Sequence, residues 1–159
     1  MSPPLSRTER TQAGGILALV ALLAALLPGM AAALEFRSVA VERAVLYDAP
    51  SQQAKKLYTA DKYYPVEVIV SLESFVKVSD HASELFWIEK NQLDTYRTVL
   101  VTVPRADIRA SPDKNAPLVF QAERDVVLEL VEEPRFGWAK VFHRDGQSGY
   151  VQISQVWGV

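Results

Sequence analysis

The amino-acid sequence predicts an all-β protein built from two similar small domains behind an N-terminal signal peptide. Short β-branched segments recur along the chain, such as Thr98–Val103 and Val126–Glu132, and apolar residues alternate within them. Turn-forming residues separate these segments, as in the stretch Arg109–Pro117. No long apolar stripe with the period of a helix follows residue 33. Short strands at this spacing are typical of a small barrel or sandwich.

Residues 1–33 have the three parts of a secretory signal peptide. Arg7 and Arg10 precede the apolar run Ile16–Leu27, and the small residues Ala31–Ala33 offer a cleavage site. The run is shorter than the roughly 20 residues that a membrane-spanning helix needs. We therefore expect export to the periplasm or another extracytoplasmic compartment. An uncleaved anchor is the alternative, and it is the only contact with a membrane that we expect.

The remainder of the chain contains two copies of one pattern. The segment Val39–Glu67 aligns with Val101–Glu129, and one inserted residue then brings Phe75–Val78 over Trp138–Val141. Apolar positions match apolar positions throughout. Internal similarity of this kind indicates a repeated structural unit.

The repeat predicts domain boundaries at 34–94 and 95–159, after a signal peptide at 1–33. Each domain is small enough to bury only about 60% of the surface of its unfolded chain. The linker between them, Asp94–Arg97, is short. We therefore expect the two domains to pack against each other.

Composition excludes several classes of function. The 159 residues carry a formal net charge of −2 without a concentrated basic cluster, so we expect no nucleic-acid partner. The chain has no cysteine, which excludes disulfides, thiolate metal sites and cysteine nucleophiles. Nothing in the sequence indicates a cofactor, and the oligomeric state stays open.

The second repeat resembles a bacterial SH3 domain. It has, in the family's order, "ADIRASPD" at Ala106–Asp113, "ERDVVLEL" at Glu123–Leu130, "GWAKV" at Gly137–Val141 and "GYV" at Gly149–Val151. The resemblance covers Val99–Gly158. Each motif is weak alone, and their order carries the resemblance.

The first repeat follows the same order with departures from the family's pattern. Tyr47 stands where the second repeat has Arg109. The Gly-Trp pair is missing from "FVKV" at Phe75–Val78, and "FWI" at Phe86–Ile88 replaces "GYV". The chain as a whole resembles small exported proteins made of tandem bacterial SH3 domains.

This resemblance implies two five-stranded SH3-like barrels without catalysis. Members of the family are usually targeting or binding modules for cell-wall peptidoglycan or peptides, and many are attached to hydrolases. The function that we expect is therefore a non-enzymatic, exported module that binds peptidoglycan or an envelope peptide. The alternative is a protein–protein interaction or scaffold protein of the cell envelope with no glycan ligand.

Five residues are the predicted ligand-binding set. Phe136 and Trp138 are expected to stack on the ligand, because flat aromatic rings line many grooves for sugars and peptides. Arg109 is expected to bind a ligand carboxylate. Tyr150 follows a polar hairpin. Tyr47 replaces a polar residue, so we expect Tyr47 to lie on the surface. Trp138 and Tyr150 are also compatible with a role in the barrel core or rim.

The segment "VFHRDGQSGYV" at Val141–Val151 contains the residue types of a hydrolase triad, His143, Asp145 and Ser148. All three lie in one short bend, "GQSGY" is not the G-x-S-x-G elbow, and no helix follows. Asp-Gly is a hairpin-turn signal. We therefore predict a turn and no catalytic residues.

His81 and His143 occupy equivalent loops of the two repeats, with an aspartate near each. Two histidines facing each other would begin a metal site, but a structural zinc site normally needs four nitrogen or sulfur ligands. We therefore predict solvated loops and no metal.

Overall fold

The computed structural model describes residues 34–159 and confirms the all-β prediction. The predicted signal-peptide helix lies outside the described residues. Two short 3₁₀ helices, Lys90–Gln92 and Ile153–Gln155, are the helical elements of this part of the chain. The strands of residues 34–94, the first half, are β1 Glu35–Val39, β2 Arg43–Tyr47, β3 Lys56–Asp61, β4 Pro65–Ser71, β5 Phe75–Ser79, β6 Leu85–Glu89 and β7 Leu93–Asp94. Those of residues 95–159, the second half, are β8 Thr98–Val101, β9 Arg105–Arg109, β10 Leu118–Glu123, β11 Val127–Leu130, β12 Trp138–Phe142, β13 Ser148–Gln152 and β14 Val156–Trp157.

Each half forms one antiparallel sheet of seven strands, and the two sheets have the same strand order. The order is β3-β2-β6-β5-β4-β1-β7 in the first sheet and β10-β9-β13-β12-β11-β8-β14 in the second. The prediction of five-stranded barrels is therefore not confirmed. In the first sheet, β1 pairs with the edge strand β7. In the second sheet, β8 pairs in the same way with the edge strand β14.

β9 and β10 were not among the predicted strands of the second half. β9 alternates buried Ala106 and Ile108 with half-buried Asp107, which is the pattern of a strand with one face in the core. Turn-forming residues at both ends of β10 concealed this strand, whose pairing with β9 outweighs local turn propensity.

Each sheet encloses its own hydrophobic core. Equivalent positions of the two halves fill these cores, which explains why apolar positions matched in the sequence. Pairs common to both cores include Ala44 and Ala106, Leu46 and Ile108, Ala60 and Ala122, and Val78 and Val141. Non-directional burial of this kind is the main favourable term in folding.

The two halves are in contact through a buried polar pair. The hydroxyl groups of Ser38 and Thr98 lie 2.8 Å apart. Ser38 Oγ also lies 2.5 Å from the Tyr96 carbonyl, and Thr98 Oγ1 lies 2.7 Å from the Tyr63 carbonyl. These contacts satisfy polar groups that would be costly to bury alone.

Aromatic and cationic groups surround this polar pair. The rings of Phe36 and Trp157 meet edge to face, with centroids 5.1 Å apart. The Arg97 guanidinium lies over Phe36 and donates to the Gly158 carbonyl at 3.0 Å. Arg144 of the second half stacks on the Tyr63 ring at 4.2 Å. Stacking and cation–π contacts therefore add to the contacts between the two halves.

Candidate functional site

Three of the predicted ligand-binding residues line one cavity of about 330 Å³ in the second half. We call it the aromatic cleft. It brings together Phe136, Trp138 and Tyr150. The full lining is Pro112, Glu132, Glu133, Arg135, Phe136, Trp138, Lys140 and Tyr150.

Phe136 is at the tip of a two-residue turn and its side chain is 100% exposed. Its φ is +51° and that of Gly137 is +82°. Backbone bonds of 2.9 and 3.0 Å between Arg135 and Trp138 close the turn. Positive φ at both central residues defines a type I′ turn, which favours Asn-Gly. Phenylalanine there costs roughly 1 kcal/mol, without burial of the ring to offset it.

The wall of the cleft comes from the paired strands β12 and β13. Trp138 and Lys140 alternate along β12 and so share one face, and Lys140 lies opposite Tyr150 on β13. Lys140 Nζ lies 6.0 Å from the Tyr150 ring centroid and 2.6 Å from Glu132 Oε1. The hydrogen bond to Glu132 raises the pKa of Lys140 above its ordinary value, so the ammonium keeps its charge.

Arg109 does not line the cleft. Its guanidinium pairs with Asp107 at 2.8 Å and donates to the Ala116 carbonyl at 2.9 Å. Gln121 donates to the other oxygen of Asp107. These bonds hold residues 110–117, the loop that brings Pro112 to the cleft. The predicted contact between Arg109 and a ligand carboxylate is therefore corrected to a role in positioning this loop.

Tyr47 is not on the surface. Only 5% of it is exposed, and its ring packs edge-on against Phe75 at 6.1 Å. The prediction was wrong because the Tyr47 ring packs against Phe75, which is smaller than its counterpart Trp138 in the second half. Tyr47 is part of the packing of the first half.

The first half has a cavity at the equivalent position, which we call the polar cleft. Its volume is about 860 Å³. Glu73 stands at the tip of its turn, where the second half has Phe136, and Phe75 is buried where the second half has Trp138. The lining is Pro50, Ser51, Gln52, Gln53, Glu73, Ser74, Phe75, Glu89, Lys90 and Asn91.

The triad-like segment forms the predicted turn between β12 and β13. His143 N donates to the Gln147 carbonyl at 2.8 Å, and Gly146 has φ +100°. His143 Nδ1 and Asp145 Oδ1 lie 2.9 Å apart. Ser148 lies opposite Phe142 in the ladder. No hydrogen bond among the described residues joins Ser148 to His143.

The two histidines have different partners. His81 Nδ1 contacts the Tyr64 hydroxyl at 3.0 Å, whereas the His143 ring packs near Phe120 and pairs with Asp145. Within residues 34–159, no three His, Asp or Glu side chains converge in a way that would hold a metal ion.

Four charged residues of the aromatic cleft were not predicted from the sequence: Glu132, Glu133, Arg135 and Lys140. The two-residue alternation from Trp138 to Lys140 is the signal that would have found the lysine.

No helix in the described part of the chain is long and apolar enough to cross a membrane.

Residues 102–158 match the family model described as "Bacterial SH3 domain". The chain thus contains a bacterial SH3 domain in its second half, as the motif order predicted. The domain boundaries at 34–94 and 95–159 stay predictions. No curated protein matches the chain.

Several solved structures are similar to the chain at low identity. NlpC1 from Trichomonas vaginalis is 16% identical over 78% of this chain and 45% of that one, with a TM-score of 0.37. NlpC2 from the same organism is 16% identical over 77% and 47%, with a TM-score of 0.37. An NlpC/P60 family protein from Bacillus cereus is 18% identical over 76% and 55%, also at 0.37. The chain therefore spans about half the length of these structures.

Proposed function

We propose that this protein is an exported, non-enzymatic module that binds peptidoglycan through the aromatic cleft of its second half. Phe136 is the observation that carries the proposal. A fully exposed ring on a strained backbone does not stabilise the fold, since asparagine would suit the turn better. Backbone strain of this kind clusters at functional sites, where a ligand contact accounts for it.

The chemistry of the cleft fits a ligand that has both sugar rings and charged peptide groups. Phe136, Trp138 and Tyr150 offer flat surfaces for stacking. Arg135 forms no ion pair with the described residues, whereas Lys140 is neutralised by Glu132. We therefore transfer the carboxylate-binding role that was predicted for Arg109 to Arg135, whose planar guanidinium binds carboxylates with two parallel hydrogen bonds.

Support for a wall ligand comes from the family resemblance, since bacterial SH3 domains are often cell-wall-binding modules. Residues 1–33 are the predicted signal peptide that would deliver the protein to that compartment. A binding role also fits the loop that holds His143 and Asp145, because no hydrogen bond among the described residues joins Ser148 to His143. Hydrolase activity that Ser148→Ala abolishes would contradict the non-enzymatic part of the proposal.

Co-sedimentation with insoluble peptidoglycan tests the proposal. We expect the protein to be retained, and Phe136→Ala combined with Trp138→Ala to reduce retention at least tenfold. Glu73→Ala is the matched control, because Glu73 holds the equivalent turn position in the first half. No retention, or retention that the double substitution leaves unchanged, would contradict the proposal.

An exposed apolar ridge favours a second candidate function, a protein–protein interaction or scaffold role without a glycan ligand. Ile69 and Val70 at the end of β4 and Leu72 in the following turn are all exposed. Adjacent exposed apolar side chains mark many interaction sites. Light scattering at two concentrations, with Val70→Lys as the variant, would detect self-association. A concentration-dependent mass that Val70→Lys removes would favour this candidate.

A further inference from the structure

A third cavity lies where the two halves meet, away from both clefts. We call it the junction cavity. Its volume is about 500 Å³, and residues 58–62 of the first half line one side. Asp125 and Val127 of the second half complete it. Small-molecule sites typically have volumes of about 300–1,000 Å³ and often form at domain interfaces.

One wall of the junction cavity is aromatic. Tyr58 is 60% exposed and meets the buried Phe86 ring edge to face, with centroids 5.5 Å apart. The second half has Gly149 at the position of Phe86, so the wall is a feature of the first half alone. The packing against Phe86 holds the exposed Tyr58 ring in place for a ligand.

The lining also contains four carboxylates, and they come from both halves. Asp61, Asp80 and Glu84 belong to the first half, and Asp125 belongs to the second. Lys62 also lines the cavity, but its Nζ pairs with Glu42 at 3.0 Å. Like charges brought together across an interface are unfavourable unless a cation compensates them.

Tyr64, which lines the same cavity, is affected by this negative charge. Burial first, and then the charges of Asp80 and Asp125, raise the pKa of Tyr64 to about 12. Carboxylates from opposite halves therefore act on one point in the cavity. An alkylammonium group can meet this negative charge and also use the exposed Tyr58 ring in the same cavity.

We propose that the junction cavity binds an alkylammonium group, with its aliphatic chain along Tyr58 and Phe86 and its ammonium near Asp80 and Asp125. A ring face and nearby carboxylates both favour an organic ammonium group. The lysine side chain of a peptide and a free aliphatic diamine share this chemistry. The site is independent of the aromatic cleft, so it stands whether or not peptidoglycan binds there.

Titration of the protein with three probes, followed by ¹⁵N chemical shifts, tests the proposal. The probes are Nα-acetyl-lysine amide, 1,5-diaminopentane and the neutral Nα-acetyl-norleucine amide. We expect saturable shifts at Asp125 and Val127 with at least one ammonium probe and none with the norleucine probe. Tighter binding of the lysine amide would point to a peptide, and tighter binding of the diamine to a free amine.

Asp125→Asn is the decisive variant. Asp125 has φ +67°, a conformation that asparagine adopts readily, so the backbone is retained. We expect about threefold or greater loss of affinity, while Asp113→Asn, which removes the same charge elsewhere, has no effect. Glu84→Gln provides a second variant if Asp125→Asn alters folding. Equal binding of the norleucine probe, absence of saturable shifts, or affinity unchanged in both variants would overturn the proposal.

Discussion

The aromatic cleft of the second half and the polar cleft of the first half occupy equivalent positions in two sheets of identical strand order. At the tip of the bordering turn, the first half has Glu73 and the second has Phe136. The turn in the second half requires positive φ at both central residues, and the turn in the first half does not. The second half therefore maintains a strained, exposed ring at a position where the first half has a charged residue and ordinary backbone.

This difference indicates how the two halves divide their roles. In the first half, Tyr47 and Phe75 are packed together, and no large ring of its cleft faces solvent. Instead, Tyr63 contributes to the junction, stacking with Arg144 and Tyr96. Where the first repeat departs from the bacterial SH3 pattern, its aromatic residues pack within the first half or contact the second half. The second repeat keeps an exposed aromatic residue, Phe136.

The largest expected effect concerns the equivalent positions Phe86 and Gly149. Phe86 is buried against Tyr58, so Phe86→Ala should lower the free energy of unfolding by about 3–5 kcal/mol.

A Cβ at Gly149 would lie 2.6 Å from both the Arg109 carbonyl oxygen and Ile108 Cγ2. Gly149→Ala should therefore cost about 1–3 kcal/mol through overpacking. Urea denaturation measures both, and a neutral Gly149→Ala would contradict the close approach of β13 to β9.

The hydroxyl pair at the junction should have the next largest effect. Thr98→Val removes the donor to the Tyr63 carbonyl and leaves a buried acceptor unpaired. We expect a loss of about 1–3 kcal/mol in the free energy of unfolding. Thr102→Val is the control, because Thr102 bonds Gln155 within the second half at 3.2 Å. If the control costs as much as Thr98→Val, the junction has no special role in stability.

Phe136→Asn separates stability from binding in the second half. Asparagine suits the type I′ turn, so the free energy of unfolding should rise by about 1 kcal/mol. Retention on peptidoglycan should fall, since the exposed ring is lost. Thermal unfolding and co-sedimentation of the same sample measure the two effects. A less stable variant would show that Phe136 serves the fold. A variant that binds as well as the wild type would show that the ring is not needed for binding.

The smallest expected effect is on how stability depends on pH at the bend between β12 and β13, compared with the equivalent bend between β5 and β6. A hydrogen bond from His143, followed by one from the Gln147 backbone, lowers the pKa of Asp145 below its ordinary value. A carboxyl with a depressed pKa in the folded state stabilises the fold above the unfolded-state pKa of 3.8. This contribution is lost as the pH falls through the lower folded-state value.

Carbon-detected NMR titration of the Asp145 carboxyl measures this shift. His143→Ala should raise the pKa of Asp145 toward 3.8. In the first half, Asp80 instead accepts hydrogen bonds from the backbone of Ala82 and Glu84, and His81 contacts Tyr64. His81→Ala should therefore leave the pKa of Asp145 unchanged. If His143→Ala also leaves it unchanged, the contact between His143 and Asp145 is not formed in solution.

The repeated pattern predicted much of the fold because apolar positions with a strand period report which face is buried. The shift of one residue between Glu67 and Phe75 in the alignment falls where the two halves differ, in the segment before β5 and β12. Turn residues predicted the bend at Asp145. They misled at β10, where pairing in the sheet outweighs local propensity.

The sites were less predictable because they depend on packing that a linear pattern does not encode. Exposure of Phe136 followed from its place in a turn before glycine. Burial of Tyr47 and the pairing of Arg109 with Asp107 depend on neighbours across strands. The junction cavity could not be predicted at all, since Asp125 meets Asp80 only after the two halves have packed.

Mapping of a soluble peptidoglycan fragment by ¹⁵N chemical shifts tests most directly whether the second half alone presents the ligand site. We expect saturable shifts in residues 110–117 and 132–140 and at Tyr150, together with unchanged resonances in residues 50–53 and 73–75. Shifts confined to the polar cleft of the first half, or no shifts in either cleft, would contradict it.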